Sequence, residues 1–327
     1  MPTRRHALVA GMLVAPALIP ASRAQEAFPS RSMRFVVPVA AGGSADLQAR
    51  RVAQRLQERW GQPVVVENRP GANGIVAVQN FLQAPPDGHT VFATPAGPLV
   101  INPSLYRNLP YDPFRDFAFA SLISVIPMVL AVHPSVPAAN VAELVALTRR
   151  PGANVAFANA GIGTPSHLSI AMFRTMAGAG DVTSVPFGGS APALTSIVGG
   201  QTQAMFDAAV SIAPFIRDNR LRPIAVAHGE RLALLPEVPT LIEQGVPGFL
   251  SATWMSLCTH AATPRDRVVR LAAEVDSILS EPALRDLLTS QGAFVRGGTP
   301  EDFAAFVRAE HEKWSRLVRE TGATIDA

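Results

Sequence analysis

"VVPVAAGGSADLQAR" (Val36–Arg50) is the stretch of the chain that most directly indicates its fold. A valine-rich run ends in two glycines, and a segment of helical composition begins immediately afterwards. Ser44 stands at the expected helix N-cap, where a hydroxyl accepts a hydrogen bond from a free backbone N–H. Glycines at such a junction let a ligand approach the main-chain amides at the positive end of the helix dipole. The stretch indicates either a plain strand–helix turn or a small-anion site.

The same arrangement occurs twice more along the chain. In "VAFANAGIGTPSHLSIAMF" (Val155–Phe173) a Gly-Ile-Gly segment precedes Thr164, the predicted N-cap of the next helix. In "VPFGGSAPALTSIVGG" (Val185–Gly200) two glycines precede Ser190, which is predicted to cap in the same way. None of the three matches a phosphate-binding signature. Three such junctions favour a site for a small anion over three unrelated turns.

Strand-like and helix-like segments alternate along the chain, which is typical of an α/β protein with parallel sheets. The predicted strands are 33–39, 63–68, 89–95, 127–134, 154–160, 182–187, 203–208 and 222–227. The predicted helices are 47–60, 74–84, 140–150, 264–279, 282–291 and 300–322. With 327 residues, of which 48% are hydrophobic, the chain is long enough for two domains with real cores.

The first 24 residues have the composition of a secretory signal peptide. Arg4 and Arg5 precede the mostly apolar segment 7–19, and small residues then lead to a predicted cleavage site near Ala24. The pattern predicts export to the periplasm, by either the general secretory or the twin-arginine route. A retained N-terminal anchor is the alternative interpretation.

The charge of the chain indicates no nucleic-acid partner. The sequence has 28 Lys and Arg against 25 Asp and Glu, and the first 24 residues contain three arginines and no acid. Removal of the leader therefore leaves 25 residues of each sign. A single cysteine, Cys258, excludes an intrachain disulfide, and its apolar neighbours predict a buried thiol. The histidines show no metal-ligand spacing, so no metal or cofactor is predicted.

Six stretches in a fixed order carry a family resemblance. They are GQPVVVENRPGANG (61–74), PPDGHTVFATPAGPLVINPSLY (85–106), LPYDPFRDFA (109–118), VPFGGSAPALTSIVGGQ (185–201), LPEVPTLIEQGVPGF (235–249) and GGTPEDFAAFVRAE (297–310). With them, the chain resembles the periplasmic solute-binding proteins of the tripartite tricarboxylate transporter type, often called Bug-type receptors. The resemblance covers about residues 32–321.

The resemblance implies a two-lobed periplasmic binding protein fold of type II, with parallel-rich sheets, flanking helices and two crossover strands. Lobe 1 is expected at 26–125 plus 250–327, and lobe 2 at 126–249. The expected ligand is a small carboxylate: a dicarboxylate or tricarboxylate, an acidic amino acid or an aromatic acid. The expected partner is a tripartite tricarboxylate transporter permease in the membrane. The resemblance further implies a monomer without enzymatic activity, cofactor or metal.

The family's binding segments imply a set of ligand-binding residues in this chain. They are Ala41, Gly42, Gly43, Ser44, Asp46, Thr94, Ala96, Gly163, Thr164, Ser166, His167, Ser190, Ala191 and Asp207. Ala41 replaces a proline that is usual in the family. Asp46 is expected chiefly to bond the amides of its own loop, because a carboxylate there repels an anionic ligand. Asp207 is the candidate for binding a hydroxyl or ammonium group of the ligand.

Two alternative functions differ from transport. The same fold serves as a ligand sensor when it contacts a signalling protein instead of a permease. A secreted serine hydrolase, built on Ser166, His167 and Asp207, is the other alternative. Adjacent residues of a helix point roughly 100° apart, so Ser166 and His167 are poorly placed to share a proton.

Overall fold

The computed structural model of the chain describes residues 28–42, 44–322 and 324. The predicted signal peptide and Gly43 lie outside the described residues. The strands are β1 (Met33–Val37), β2 (Val64–Asn68), β3 (Thr90–Thr94), β4 (Phe117–Val132), β5 (Ala156–Asn159), β6 (Thr183–Pro186), β7 (Ala204–Ala208), β8 (Arg222–Val226), β9 (Ala252–His260) and β10 (Phe294–Val295). Their order in the sheet is β2-β1-β3-β9-β4-β7-β5-β6, and β8 and β10 also pair with β4.

The helices cover both faces of this sheet or connect its strands. They are α1 (Ser44–Trp60), α2 (Ile75–Leu82), α3 (Asn102–Leu105), α4 (Pro113–Asp116), α5 (Val141–Thr148), α6 (Pro165–Met176), α7 (Ser190–Val198), α8 (Ala209–Arg217), α9 (Arg265–Leu279), α10 (Pro282–Ser290) and α11 (Pro300–Thr321). Short helical turns of 3-10 and π type lie at Ala72–Gly74 and Gly97–Ile101. None of the described helices is both long and apolar enough to cross a lipid bilayer.

Strand β4 connects two halves of the molecule. Its residues from Phe117 to Pro127 pair antiparallel with β9, and those from Met128 to Val132 pair antiparallel with β7 and β8. On one side, β1 pairs in parallel with β2 and β3; on the other, β5 pairs in parallel with β6 and β7. Below, lobe 1 denotes the part built on β1–β3, β9 and β10, and lobe 2 the part built on β5–β8.

The antiparallel centre of the sheet is the part that the sequence pattern did not predict. The alternation predicted a strand at 127–134, but it missed the preceding residues of β4 and all of β9. Almost every residue of β4 from Ala120 onward is buried. A strand buried on both faces has no alternation of polar and apolar residues, so its period gives no signal.

Each lobe has its own aromatic core. Phe81, Phe92 and Phe117 pack together in lobe 1. In lobe 2, the rings of Phe157, Phe173, Phe206 and Phe249 form a continuous row.

The residues that follow the crossover into β9 are also buried. Trp254 and Met255 are each only 1% exposed, so both side chains belong to the core. Cys258 is buried as predicted, and burial raises the pKa of its thiol.

Candidate binding cleft

A cavity of about 300 Å³ lies at the carboxyl ends of β1, β3, β5 and β7, with lobe 1 on one side and lobe 2 on the other. Ligands of open α/β sheets bind at this end of the strands, outside their carboxyl termini. The lining residues are Pro38, Val39, Ser44, Ala45, Gly71, Asn73, Gly74, Pro95, Gly97, Pro98, Met128, Ala160, Thr164, Pro165, Ser166, Ser190, Asp207, Ala208, Ser211 and Thr253.

Four helix beginnings converge on this cavity. Ser44 is the first residue of α1 in lobe 1, so the prediction that it is the N-cap of this helix is wrong. In lobe 2, Thr164 precedes α6, Ser190 begins α7 and Ala208 precedes α8. The first N–H groups of a helix have no partner within the helix and carry its positive partial charge. No Lys, Arg or His is among the lining residues that the structure describes. Positive partial charge at the cavity wall therefore comes from main-chain dipoles.

The loop before α6 has the predicted cap. The Thr164 hydroxyl accepts a hydrogen bond from the His167 N–H at 3.3 Å and donates to the Gly161 carbonyl at 2.7 Å. Pro165 occupies the first helical position, where its missing N–H leaves no hydrogen bond unmade. Capping by Thr164 is thus confirmed, and the same residue lines the cavity.

The predicted cap at Ser190 is wrong. Gly189 is the N-cap of α7, with a φ of 138° that L side chains rarely adopt. Ser190 is the first residue of α7, and its hydroxyl donates a short hydrogen bond to Oδ2 of Asp207 instead of capping the helix. Because no side chain caps α7, its first amides have no side-chain acceptor.

Asp207 is the last residue but one of β7, and it lines the cavity although it is only 4% exposed. Its Oδ1 accepts the Ala208 N–H at 2.8 Å, and its Oδ2 accepts the Ser190 hydroxyl. Burial raises the pKa of Asp207 to about 6, although the hydrogen bonds from Ser190 and Ala208 favour the ionised form. Among the described residues no cation offsets the burial of this carboxyl, which explains the direction of the pKa shift.

Asp46 lies beside the cavity without lining it. Its carboxylate accepts hydrogen bonds from the Gly42 N–H at 2.8 Å, from Arg50 Nε at 3.0 Å and from Asn68 Nδ2 at 2.8 Å. Burial opposes its ionisation, but the bonds from Arg50, Gly42 and Asn68 outweigh it and hold the pKa of Asp46 below its ordinary value. The expectation that Asp46 bonds its own loop is confirmed.

Several other predicted residues do not line the cavity. Thr94 and Ala96 are fully buried, and the Thr94 hydroxyl donates to the Pro95 carbonyl at 3.0 Å. His167 lines a neighbouring pocket that residues of α6 share with the C-terminal end of α11. Gly163 packs against Leu105 of lobe 1, so that a methyl group added to it would overlap the Leu105 side chain. Three further predicted residues are exposed and adjoin the cavity lining without belonging to it: Ala41, Gly42 and Ala191.

The contacts around Ser166 do not form a nucleophile–base pair. Its hydroxyl donates to the Phe206 carbonyl at 2.5 Å. Nδ1 of His167 accepts the Gly163 N–H at 3.3 Å, and burial lowers the pKa of this histidine. Asp207 is bonded to Ser190 instead of His167. The three residues of the hydrolase alternative are therefore each bonded elsewhere.

Sequence reasoning missed the segment Gly71–Gly74, which forms part of the lobe 1 wall. Asn73 has a φ of 50°, and its Nδ2 donates to Asn102 Oδ1 at 2.8 Å. Asn102 Nδ2 donates to the Asn73 carbonyl at 3.0 Å and to the Tyr111 hydroxyl at 3.1 Å, and that hydroxyl donates to the Pro98 carbonyl at 2.7 Å. The Gly-Ala-Asn-Gly composition predicts a turn, but only the tertiary contacts place it at the cavity.

The family of this chain follows from comparison with known proteins. The family model described as "Tripartite tricarboxylate transporter family receptor" matches residues 48–323. This chain belongs to the tripartite tricarboxylate transporter receptor family. A similar protein is the "UPF0065 protein in tcbD-tcbE intergenic region" of Pseudomonas sp. (strain P51), 35% identical over 97% of this chain and 94% of the relative. "Protein BugT" of Bordetella pertussis is 32% identical over 97% of both chains.

Solved structures of similar receptors support the same fold. The R. palustris protein Rpa4515 with adipate is 33% identical and covers 90% of this chain and 98% of its own, with a TM-score of 0.84. MatC from Rhodopseudomonas palustris with bound malate is 33% identical over 89% of this receptor and 100% of its own chain, with a TM-score of 0.80. The periplasmic binding protein BugD reaches a TM-score of 0.81 at 31% identity. The predicted two-lobed α/β fold is thus confirmed.

Proposed function

We propose that this receptor binds a small carboxylate in the cavity between its lobes and delivers it to a tripartite tricarboxylate transporter permease. The observation that supports this most directly is that helix beginnings from both lobes converge on a cavity lined by none of the described cationic side chains. An anion of carboxylate size fits such a site because free main-chain N–H groups and helix dipoles both favour negative charge. The adipate and malate named with two similar structures are carboxylates of this size.

The proposed ligand contacts come from the predicted residues that line the cavity. In lobe 1, the contacts are Ser44 and the first amides of α1. In lobe 2, they are Thr164 and Ser166 at the start of α6, together with Ser190 and Asp207. Bridging water can extend these short polar groups to the ligand. We further propose that the rim of the cavity includes the glycine loop around Gly43 and the exposed residues Ala41 and Ala191. These residues approach the ligand when the lobes close.

The proposed division into lobes keeps the boundaries expected from the family, 26–125 plus 250–327 and 126–249. The pairing of Pro127 with Ala252 and of Met128 with Ala208 supports a crossover close to these positions. Relative rotation of the lobes about β4 and β9 opens and closes the cavity, as in other hinged receptors. The closed form then presents a surface of both lobes to the permease.

The remaining proposals concern the cellular setting. The family is one of solute receptors, and we extend this to a monomeric, non-enzymatic protein that the leader sequence directs to the periplasm. Size-exclusion chromatography with light scattering tests the monomer. Uptake of the bound acid by cells with and without the receptor distinguishes transport from the sensor alternative.

The direct test of the proposed function is a binding screen by thermal shift and calorimetry. Adipate, malate, benzoate and glutamate are compared with glucose and spermidine, and at least one acid is expected to stabilise the receptor. Ser44→Asp places a negative charge at the start of α1 inside the cavity, so it should abolish that stabilisation. Asn140→Asp adds the same charge at the N-cap of α5, away from the cavity, and should bind normally. Stabilisation by the sugar or the amine alone would refute the proposal.

A further inference from the structure

A buried polar side chain of α1 lies behind Ser44, the residue of this helix that lines the cavity at its beginning. The side chain is Gln48, one helical turn further along. Residues four apart are neighbours on the surface of a helix, so the two side chains lie on the same face of α1. Gln48 is only 4% exposed and is not among the lining residues. Its amide is therefore a polar group of the protein interior, next to a residue that faces the ligand.

The two ends of the Gln48 amide have different partners. Oε1 accepts the hydroxyl of Ser124 on β4 at 2.5 Å, and Nε2 donates to Oγ of Ser44 at 3.4 Å. Ser124 is fully buried, and its hydroxyl has no other hydrogen-bond partner among the described residues. If the amide were reversed, the hydrogen of this hydroxyl would have no acceptor there, and a buried donor is costly to leave unbonded. Ser124 thus holds the N–H side of the amide towards Ser44.

This orientation of the amide determines what the Ser44 hydroxyl offers to a ligand. A hydroxyl has one hydrogen and two lone pairs. Because Gln48 donates to a lone pair of Ser44, that contact leaves the Ser44 hydrogen unused. Within the described part of the chain the Ser44 side chain forms no second hydrogen bond, so its hydrogen is available to the cavity. An ionised carboxylate only accepts hydrogen bonds, so it is matched to this donor.

We propose that Gln48 is a positioning residue of the binding site, which presents the Ser44 hydroxyl to the ligand as a hydrogen-bond donor. The inference rests on the proposed function and adds to it a residue that does not touch the ligand. Without the Gln48 amide, the ligand itself has to orient the hydroxyl, and the lost rotational freedom weakens binding. Ser124 acts one step further back, from the strand that runs through both lobes.

A double-mutant cycle between Gln48 and Ser44 tests this, because it separates orientation of the hydroxyl from support of the helix. Methionine replaces glutamine at nearly the same volume without a donor or a strong acceptor. Calorimetry uses whichever of adipate, malate, benzoate and glutamate binds the wild-type receptor most tightly. Gln48→Met should weaken binding about fivefold, and Ser44→Ala about tenfold or more. When it is added to Ser44→Ala, Gln48→Met should weaken binding by less than about twofold, because the hydroxyl that it orients is gone.

Stability is measured in parallel, because Gln48→Met leaves the buried Ser124 hydroxyl without its acceptor. Replacing both partners by apolar groups avoids that penalty, so Gln48→Met combined with Ser124→Ala is made as well, in wild type and in Ser44→Ala. The combined variant should show the same affinity losses with a stability nearer to that of wild type.

Gln244→Met is the matched control. Gln244 is a partly buried glutamine whose amide bonds the Val141 N–H and the Ile224 carbonyl, and it does not line the cavity. This variant should lose stability, because two backbone groups lose their partner, and it should bind the acid as wild type does.

The ratio of the affinity losses that Gln48→Met causes in wild type and in Ser44→Ala decides the inference. A ratio of about threefold or more supports it. A smaller ratio means that Gln48 supports the helix as a whole, and tighter binding of Gln48→Met means that the amide holds the hydroxyl away from the ligand. Either result overturns the inference while the carboxylate-receptor proposal stands.

Two further outcomes are informative. Unfolding of both Gln48→Met and its combination with Ser124→Ala would assign this pair to the fold alone and overturn the inference. If none of the four acids binds the wild-type receptor, the inference and the proposed function are both overturned.

Discussion

The carboxylate of Asp46 is a buried charge whose hydrogen bonds connect three parts of lobe 1. They come from the loop after β1, from α1 itself and from the end of β2. Asp46→Asn should lower the free energy of unfolding by about 1–3 kcal/mol, because an amide group cannot accept all three bonds. Urea unfolding followed by circular dichroism at neutral pH measures this loss.

The pH dependence of that loss has a definite sign. The folded pKa of Asp46 lies below the ordinary value of 3.8, so its stabilising contribution is present above that value and is lost as the pH falls through the folded pKa. The difference between wild type and Asp46→Asn should therefore shrink in acid. Asp181→Asn is the control, since this fully exposed side chain forms a surface ion pair with Arg174 and should change stability by less than about 0.5 kcal/mol. An equal loss in both variants would contradict the structural role of Asp46.

Two helix-start hydroxyls show which contacts the sequence predicts and which it does not. The hydroxyl at Thr164 caps a helix as predicted, because the rule for an N-cap depends on local sequence alone. The hydroxyl at Ser190 does not, because Asp207, 17 residues away in sequence, offers it a charged acceptor. The hydrogen bond to Asp207 is therefore formed in place of a helix cap, which would contribute about 1 kcal/mol.

At the scale of the element, the start of α6 combines two functions that a pair of variants can separate. Thr164→Ala removes an N-cap and should cost about 0.5–2 kcal/mol of stability, and it should also weaken ligand binding because Thr164 lines the cavity. Asn140→Ala removes the N-cap of α5, whose side chain accepts the Glu143 N–H at 2.9 Å away from the cavity.

Asn140→Ala should lose a similar amount of stability without any change in ligand affinity. Urea unfolding gives the stability of each variant, and calorimetry with the acid that binds most tightly in the carboxylate screen gives its affinity. Unchanged affinity in Thr164→Ala would remove this residue from the proposed ligand contacts and leave it with its cap alone.

The segment Gly71–Gly74 is held in place by a polar network that another variant tests. Tyr111→Phe removes a hydroxyl that bonds both Asn102 and the Pro98 carbonyl in a buried position. We expect a loss of about 1–3 kcal/mol in stability, because the carbonyl of Pro98 is left without this donor. We also expect a several-fold loss of affinity, because Pro98 and Asn73 belong to the cavity wall. Stability loss with full affinity would show that the network supports the fold alone.

For the whole molecule, the sequence predicted the outer strands, the main helices and the family, but not the contacts that join the lobes. The repeated glycine loops and helix beginnings are local patterns, and their convergence followed from the family resemblance. The approach of Gly163 to Leu105 and Asn73 has no local signal, because it joins loops of different lobes. That close approach explains why this position has no side chain.

Closure of the lobes should therefore depend on Gly163. Its φ of 77° almost equals the 75° of Gly152, whose added methyl group would meet open space. Gly163→Ala and Gly152→Ala should lose similar stability from backbone strain, about 1–2 kcal/mol each. Only Gly163→Ala should also hold the lobes apart, giving a larger radius of gyration in X-ray scattering with ligand present and an affinity reduced about tenfold or more. Leu105→Val in the same chain shortens the opposing side chain and should restore part of that affinity. Equal affinities of the two alanine variants would show that Gly163 has no part in closure.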